Sequence, residues 1–554
     1  MRDLSIFIAG AAGEGIQTIG DVVARAFLRH GYPVFASQEF ESRIRGGNSS
    51  VRIRIGDEAT NAPTETADVL LAVNARALEH YRPALRPNGL SIAPDEVDGA
   101  DLVRVPFAEL AVEHGGAIFA NAVAAGALCP AISLPLTALE ATLAETFADK
   151  GEKTVAGNVA AARAGFAVAS DQLADRRADD VPPQPNRYAF TSAHDVIPIA
   201  AAASGCRFIA AYPMSPSTGI ITAFARHPEL GVFAEQAEDE IAAIHMALGA
   251  IAAGARAMTA TSGGGFALMT EAISLAGMIE TPVVIVLAQR PGPATGLPTR
   301  TAQEDLLFAL RAGHGEFPKV LLAPSDPQSA IDLTARAFDL ADRYQTPVIL
   351  LTDQYLADSR FSLERLTLPA DATGARFADP AALDDYARYR FTDDGISPRL
   401  YFGQSEHLVV LDSDEHTETG HLTEDLVEAR PAMVEKRLEK GHRLTRAIAP
   451  PASDGVEDAD LVLVGWGSTK GAIDEAVARL RADGQRIGAL HFTELWPLPT
   501  IEPRDGVRYW TVEGNATGQF AGLLESSTDL EIEGRIGRYD GLPITAETIL
   551  EAIS

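Results

Sequence analysis

The sequence predicts an α/β protein built from several doubly wound, mostly parallel sheets. Three observations carry this reading. Short apolar runs alternate with segments of helical period along most of the chain. Some runs, VVIVLAQ at 283–289 most clearly, are apolar throughout, as strands buried on both faces must be. Glycine-containing turns open several of the helices that follow, the form of a strand–turn–helix unit.

Taken in order, Ser5–Gly10 reads as a strand, and Ile16, Ile19, Val23 and Phe27 mark one face of the next helix. VLLAV at 69–73 is a further strand with a helix after it. Asp171 to Arg187 carries charges and three prolines and reads as a linker. Beyond it, strand 207–212 leads to a helix capped at Ser217. Strand 231–234 leads to a helix from Glu238 to Ala252, and strand 256–261 to the Ser262–Gly265 turn. Strands at 283–289, 320–324 and 348–352 complete a large parallel sheet. Residues 370–440 read as irregular and polar. A last α/β region has strands at 461–467, 487–492 and 507–513.

Composition bounds the function classes. The chain has 554 residues, 46% of them hydrophobic and 22% charged, which suits several buried cores and argues against disorder. A net charge of −30 disfavours general binding to nucleic acid or to anionic lipid. It suits a small or positively patched partner. Two cysteines, Cys129 and Cys206, allow no metal or cluster spacing and read as buried thiols in a reducing cytoplasm. The apolar start is too short, and the Ala-rich stretch at 117–134 too weakly apolar, to span a bilayer.

Several motifs bear on chemistry. Gly10-x-x-Gly13-x-Gly15 follows a strand, but Glu14 would repel a pyrophosphate, so a tight turn is the favoured reading. Arg43-Ile-Arg45-Gly46-Gly47-Asn48-Ser49-Ser50 pairs guanidinium forks with backbone N–H groups. It reads equally as an anion site or as a solvated hairpin turn. The Tyr212–Thr218 loop lies at the carboxyl end of a strand, where ligands bind in such sheets. Glu238, Asp239 and Glu240 head an apolar helix, and for Asp239 and Glu240 complementing the helix dipole is the favoured role. Asp412, Asp414, Glu415, His416 and His421 offer metal donors, but a solvated loop or subunit contact is favoured.

AYPMSPSTGI at 211–220, QAEDEIAAIHMALGA at 236–250, TATSGGGFALMTEAISLAGMIETPVVIV at 259–286 and QRPGPATGLPTRTAQ at 289–303 closely resemble the α subunit of 2-oxoacid:ferredoxin oxidoreductases. GAAGEGIQTIG and ESRIRGGNSS resemble the γ domain of that family, fused ahead of the α part. DSDEHTETGHLTED at 412–425 is similar to the branch acting on 2-oxoglutarate, with pyruvate, a branched-chain 2-oxoacid or a thiamine-dependent transfer without electron transfer as alternatives.

The resemblance implies five segments: a γ-type domain at 1–175, a linker at 176–190, a pyrimidine-binding domain at 191–370, an irregular connection at 371–445 and a transketolase C-terminal-like domain at 446–554. It implies thiamine diphosphate shared with a β subunit, because the chain has no GDG followed by Asn to hold Mg²⁺ and diphosphate. Mg²⁺ and a [4Fe–4S] cluster are expected in that β subunit, with ferredoxin as acceptor, CoA as co-substrate and an (αβ)₂ heterotetramer as the assembly. Glu238 matches the family's aminopyrimidine glutamate, and Arg290 and Ser215 its substrate-carboxylate residues. Ser215 stands where relatives carry Thr, and SGGG at 262–265 where they carry SGPG. Arg300 is the candidate for the distal carboxylate. Arg43, Arg45, Gly46 and Gly47 are the candidates for CoA, and no metal ligands are expected in this chain.

Overall fold

The computed structural model describes residues 3–41, 46–176, 179–369 and 376–554. The chain divides into two compact units. One comprises residues 1–191 with 359–366 and 545–548, and the other comprises 192–358, 367–544 and 549–554.

The first unit runs β1 (Leu4–Ala12), α1 (Ile16–Arg29), β2 (Val34–Glu39), β3 (Gly46–Ile55), β4 (Ala67–Ala72), α2 (Ala75–Tyr81), β5 (Leu85–Pro94), β6 (Leu102–Val105), α3 (Phe107–Glu113), α4 (Ala120–Leu128), α5 (Leu136–Thr146), α6 (Glu152–Gln172) and β7 (Ala189–Thr191). Its six-stranded sheet has the order β2-β3-β1-β4-β5-β6. β3 runs antiparallel to both its neighbours, and the rest are parallel. Ile16, Ile19, Val23 and Phe27 are buried on one face of α1, as their spacing predicts. The Ala-rich stretch is weakly apolar because it is built for close helix contact: a β-carbon at Gly126 of α4 would lie 2.0 Å from the Ala162 carbonyl oxygen of α6.

The expected linker is not free chain. Gln184 donates its N–H to the His30 carbonyl at 2.9 Å, Val181 donates to Ser133 at 2.9 Å, and the Tyr32 hydroxyl donates to the Pro182 carbonyl at 3.0 Å. These bonds seat the proline-rich run on the first unit.

The second unit runs α7 (Ala193–Ala203), β8 (Cys206–Ala211), α8 (Thr218–Arg226), β9 (Phe233–Gln236), α9 (Glu240–Ala252), β10 (Arg256–Thr261), α10 (Gly263–Leu268), α11 (Thr270–Met278), β11 (Val283–Gln289), α12 (Leu306–Arg311), β12 (Val320–Leu322), α13 (Pro327–Tyr344), β13 (Pro347–Asp353) and α14 (Gln354–Asp358). β14 (Phe361–Leu363) belongs to the first unit and pairs antiparallel with β7. The second unit resumes with α15 (Ala429–Ala447), β15 (Ala452–Asp454), β16 (Leu461–Trp466), α16 (Lys470–Ala482), β17 (Ile487–Phe492), β18 (Glu494–Trp496), β19 (Arg508–Glu513), α17 (Gln519–Ser527) and β20 (Ile532–Gly537).

Its seven-stranded sheet, β18-β12-β13-β11-β10-β8-β9, is parallel except for β18, and β11 at its centre is buried throughout. A five-stranded sheet, β15-β17-β16-β19-β20, is parallel except for β15. The two sheets share one core, in which Ile244 and Phe266 cluster with Trp466 and Phe520. The C-terminal region is thus continuous with the sheet before it, and β18 extends that sheet directly.

Residues 370–440 are not wholly irregular. The 19-residue α15 begins inside them, and its buried face carries Lys436, Arg437 and Lys440. Lys436 donates to Glu280 at 2.7 and 2.8 Å and Lys440 donates to it at 2.7 Å. Burial alone would push the Glu280 carboxyl up, but Lys440, Lys436 and Arg388 together hold it far below the usual carboxylate range. Among the described residues no helix is long and apolar enough to cross a membrane. Both cysteines are buried, and burial pushes the Cys206 thiol up to about 12.

Candidate active site

In the second unit Ser215, Glu238 and Arg290 follow the carboxyl ends of the parallel strands β8, β9 and β11. At the end of β8 the chain turns through Tyr212–Ser217. Ser217 occupies the N-cap position of α8, but its hydroxyl makes no capping bond there. It donates instead to the Met214 carbonyl at 2.8 Å and closes the turn. Arg290, just beyond β11, donates from Nη1 to the Ser215 carbonyl at 2.6 Å. The structure therefore brings Arg290 and Ser215 together through the Ser215 backbone, and the Ser215 residue stays exposed.

The structure separates the three acids of the triplet before α9. Glu238 precedes the helix and is exposed in this chain. Asp239 is the N-cap and accepts the Ala242 N–H at 2.7 Å, a capping role. Glu240, the first helical residue, is the buried one, at 4% exposure. Its Oε1 is buried without a hydrogen-bond partner among the described residues. A buried carboxylate oxygen without a donor is costly unless a ligand supplies one.

Glycine makes this arrangement possible. A β-carbon at Gly265 would stand 2.3 Å from Thr261 Oγ1 and 2.4 Å from Glu240 Oε1. Gly264 faces open space. The third glycine of this turn is the one whose missing side chain makes room for the Glu240 carboxylate.

Two acids that sequence reasoning passed over stand beside Arg290. Glu304 accepts the Gly292 N–H at 2.9 Å. Asp305 lies against the first turn of α10, where a β-carbon at Gly263 would meet its Oδ2 at 2.8 Å. Burial, then Glu304, push the Asp305 carboxyl up to about 6 against the pull of Arg290. Burial pushes the Arg290 guanidinium down and Asp305 opposes it.

The segment bearing these acids is clamped by residues that the sequence left without a role. Gln303 and Gly514 exchange two hydrogen bonds, at 2.7 and 2.8 Å. Gln519 donates to the Glu304 carbonyl at 2.6 Å and accepts from the Leu307 N–H at 2.9 Å. Asn515 donates to the Gln303 carbonyl at 3.0 Å. Arg300 packs its Cβ against Gly541, where an added β-carbon would lie 3.1 Å away.

In the first unit, Arg43 and Arg45 lie outside the described residues. Gly46 and Gly47 begin β3, with φ of +80° and +77°. Asn48 donates its N–H to Glu41 at 3.2 Å. A cavity of about 340 Å³ opens here, with Gly13, Gly15, Gln38, Glu41 and Ser49 in its wall. Glu14 is exposed and bridges its own turn to Asn74, accepting from the Ala11 N–H at 2.7 Å and from Asn74 at 2.6 Å.

In the 412–421 segment, Glu415 is held by Arg437 at 3.0 Å and by Arg430. His416 packs on Tyr389 with the rings tilted by 33° and their centroids 3.8 Å apart. These contacts seat the segment on the protein.

The family described as pyruvate flavodoxin/ferredoxin oxidoreductase, thiamine diP-binding, matches residues 199–436. The family described as pyruvate ferredoxin/flavodoxin oxidoreductase matches residues 5–168. The chain is 32% identical to subunit alpha of 2-oxoacid:ferredoxin oxidoreductase 2 from Aeropyrum pernix, over 100% of this chain and 97% of that one. It is 35% identical to the 2-oxoglutarate synthase subunit KorA of Methanothermobacter thermautotrophicus, over 57% of this chain and 83% of that one. It is similar to the solved 2-oxoglutarate:ferredoxin oxidoreductase from Magnetococcus marinus with 2-oxoglutarate, coenzyme A and succinyl-CoA bound. There the TM-score is 0.91 and the identity 32%, covering 100% of this chain and 99% of that one.

Proposed function

This chain belongs to the 2-oxoacid:ferredoxin oxidoreductase family as an α-type subunit, and on that premise we propose that it works with a β subunit in the oxidative decarboxylation of 2-oxoglutarate. CoA and oxidised ferredoxin are the other substrates, and succinyl-CoA, CO₂ and reduced ferredoxin the products, or the reverse. The single observation that carries the reading is the buried, unpartnered Glu240 Oε1 at the strand-end edge that also holds Arg290 and Ser215. We read the first unit as the γ-type domain and the two sheets of the second as pyrimidine-binding and transketolase C-terminal-like domains.

Thiamine diphosphate, when bound, supplies a carbon nucleophile and an electron sink for decarboxylation. Glu240 fits its aminopyrimidine ring, because a sheltered carboxylate can hold and exchange a proton at a ring nitrogen. This role passes from Glu238 to Glu240. Arg290 keeps N–H groups beyond the one bound to Ser215 and grips the carboxylate next to the reacting carbonyl, with the Ser215 hydroxyl as a second donor. Holding that carboxylate fixes the carbonyl in place and removes much of the entropic barrier.

The diphosphate, Mg²⁺ and a [4Fe–4S] cluster are assigned to the β subunit, with ferredoxin as its partner and (αβ)₂ as the assembly in the cytoplasm. Arg300 remains the candidate for the distal carboxylate. Glu41, beside Gly47 and in the wall of that cavity, favours an uncharged portion of CoA there and leaves the phosphates to Arg43 and Arg45. The names of the KorA relative and the Magnetococcus marinus enzyme favour 2-oxoglutarate.

Co-expression with a β-type partner and an assay of viologen reduction tests the proposal. 2-Oxoglutarate is expected to exceed pyruvate in kcat/KM by at least about tenfold, the scale an added ionic contact confers. Absence of 2-oxoacid-dependent reduction would overturn the activity, and a preference for pyruvate would overturn the substrate alone.

A further inference from the structure

We infer that Asp305 is a positioning residue that couples the grip of Arg290 on the substrate carboxylate to a proton, so that binding a 2-oxoacid draws a proton from solution onto the Asp305 carboxyl. The inference rests on the reading of Arg290 given above and goes beyond it.

Asp305 is held where it cannot evade its neighbours. Its N–H donates to Gln289 Oε1 at 3.0 Å, and Gln519 bonds the backbone of Glu304 and of Leu307 on either side of it. Both carboxyl oxygens stand over Gly263, 2.8 and 3.0 Å from where a β-carbon would be. Oδ2 is buried there without a hydrogen-bond partner among the described residues.

Asp305 and Glu304 are bonded to Gln289 and Gly292, on either side of Arg290, so the charges acting on the Asp305 carboxyl are Arg290 from the end of β11, not in direct ion pair with it, and Glu304 on its own segment. The α10 turn offers Gly263 here, and Glu240 approaches the same turn at Gly265. Glu304 is itself tied to the Gly292 N–H, two residues beyond Arg290. Burial and Glu304 already bring the Asp305 carboxyl up to about 6, so its charge is poised within the working range of an enzyme.

A substrate carboxylate on Arg290 adds a second anion beside Asp305 and takes up part of the guanidinium that now steadies it. Like charges cannot share one cation at full strength, so the carboxyl that gives way takes a proton. The step is complete in itself: one proton leaves solvent, one O–H bond forms on Asp305, and the substrate keeps its charge. By linkage, a carboxyl that binds its proton more tightly in the complex weakens substrate affinity as pH rises past its free value.

The test uses the complex with its β subunit. KM for 2-oxoglutarate and for pyruvate is measured from pH 6 to 8 at saturating CoA. Proton uptake is read by calorimetry with N-oxalylglycine, an analogue lacking the reacting ketone, in buffers of different ionisation enthalpy. KM is expected to rise by about tenfold per unit by which binding raises the carboxyl, alike for both substrates, with net proton uptake. Asp305→Asn should flatten the KM profile and abolish the uptake. Glu304→Gln removes a like charge, keeps the acceptor for Gly292, and should move the midpoint to lower pH with the slope retained.

Retention of the wild-type profile in Asp305→Asn, or an unmoved midpoint in Glu304→Gln, overturns the inference. A wild-type complex that turns over 2-oxoacids without proton uptake also overturns it and leaves the proposed function standing. A wild-type complex that neither binds the analogue nor turns over any 2-oxoacid overturns the proposed function, and this inference with it.

Discussion

Glu240 Oε1 and the Cα of Gly265 face each other so closely that a β-carbon on Gly265 would lie 2.4 Å from that oxygen. A glycine in an allowed backbone region is thus required by the carboxylate beside it. The pair ties a helix N-terminus to the turn after β10 and leaves one buried carboxylate oxygen without a donor among the described residues.

Glu240→Gln keeps the shape and loses the exchangeable proton. Turnover of the assembled enzyme is expected to fall by about 10²–10⁴, the usual loss for a positioned acid–base group. Glu238→Gln should stay within about twofold of wild type, as an exposed side chain away from the reacting groups does. Steady-state kcat for the two variants decides between them, and the reverse order would restore Glu238 to the role.

Gly265→Ala should displace the Glu240 carboxylate. Overpacking of this kind costs about 1–3 kcal/mol of stability, and kcat should drop with the complex still assembled. Gly264→Ala, which points into open space, is the control and should keep both kcat and Tm. Equal effects of the two substitutions on kcat would contradict the proposed geometry.

On the proposed reading, Arg290→Lys removes the fork that holds the Ser215 carbonyl and the substrate carboxylate together. KM should rise by the same factor for 2-oxoglutarate and for pyruvate, because the carboxylate gripped is the one they share. An effect confined to 2-oxoglutarate would reassign Arg290 to the distal carboxylate.

Glu280 supplies a stability test with a defined sign. Its folded carboxyl is held far below its ordinary value of 4.5, so its contribution is complete above that pH and is lost as the pH falls below it. Glu280→Gln strands Lys436 and Lys440, and breaking such a buried pair costs about 3–5 kcal/mol. Thermal unfolding from pH 3 to 7 should show a large Tm deficit at neutral pH that narrows in acid. A deficit independent of pH would mean that packing, not charge, is what the mutation removes.

Much of the fold was legible in the sequence because its signals are local. The continuous apolar run at 283–289 announces a strand buried on both faces, and β11 is one. The spacing of Ile16, Ile19, Val23 and Phe27 gives the buried face of α1. The long motifs at 211–303 placed Ser215, Arg290 and the acidic triplet on one edge, since the carboxyl ends of parallel strands share a side of the sheet. Other features depended on partners far along the chain. Choosing Glu240 over Glu238 needed the first residue of α9 and the space above Gly265. The role of Asp305 depends on Gln519, more than two hundred positions away, clamping its segment. The helix of α15 was masked because its buried face is basic, and only Glu280 and Glu415, brought in by folding, make that face a buried one. A pattern of residues reports the period and polarity of an element, while the identity of the group opposite each side chain is set when distant segments pack.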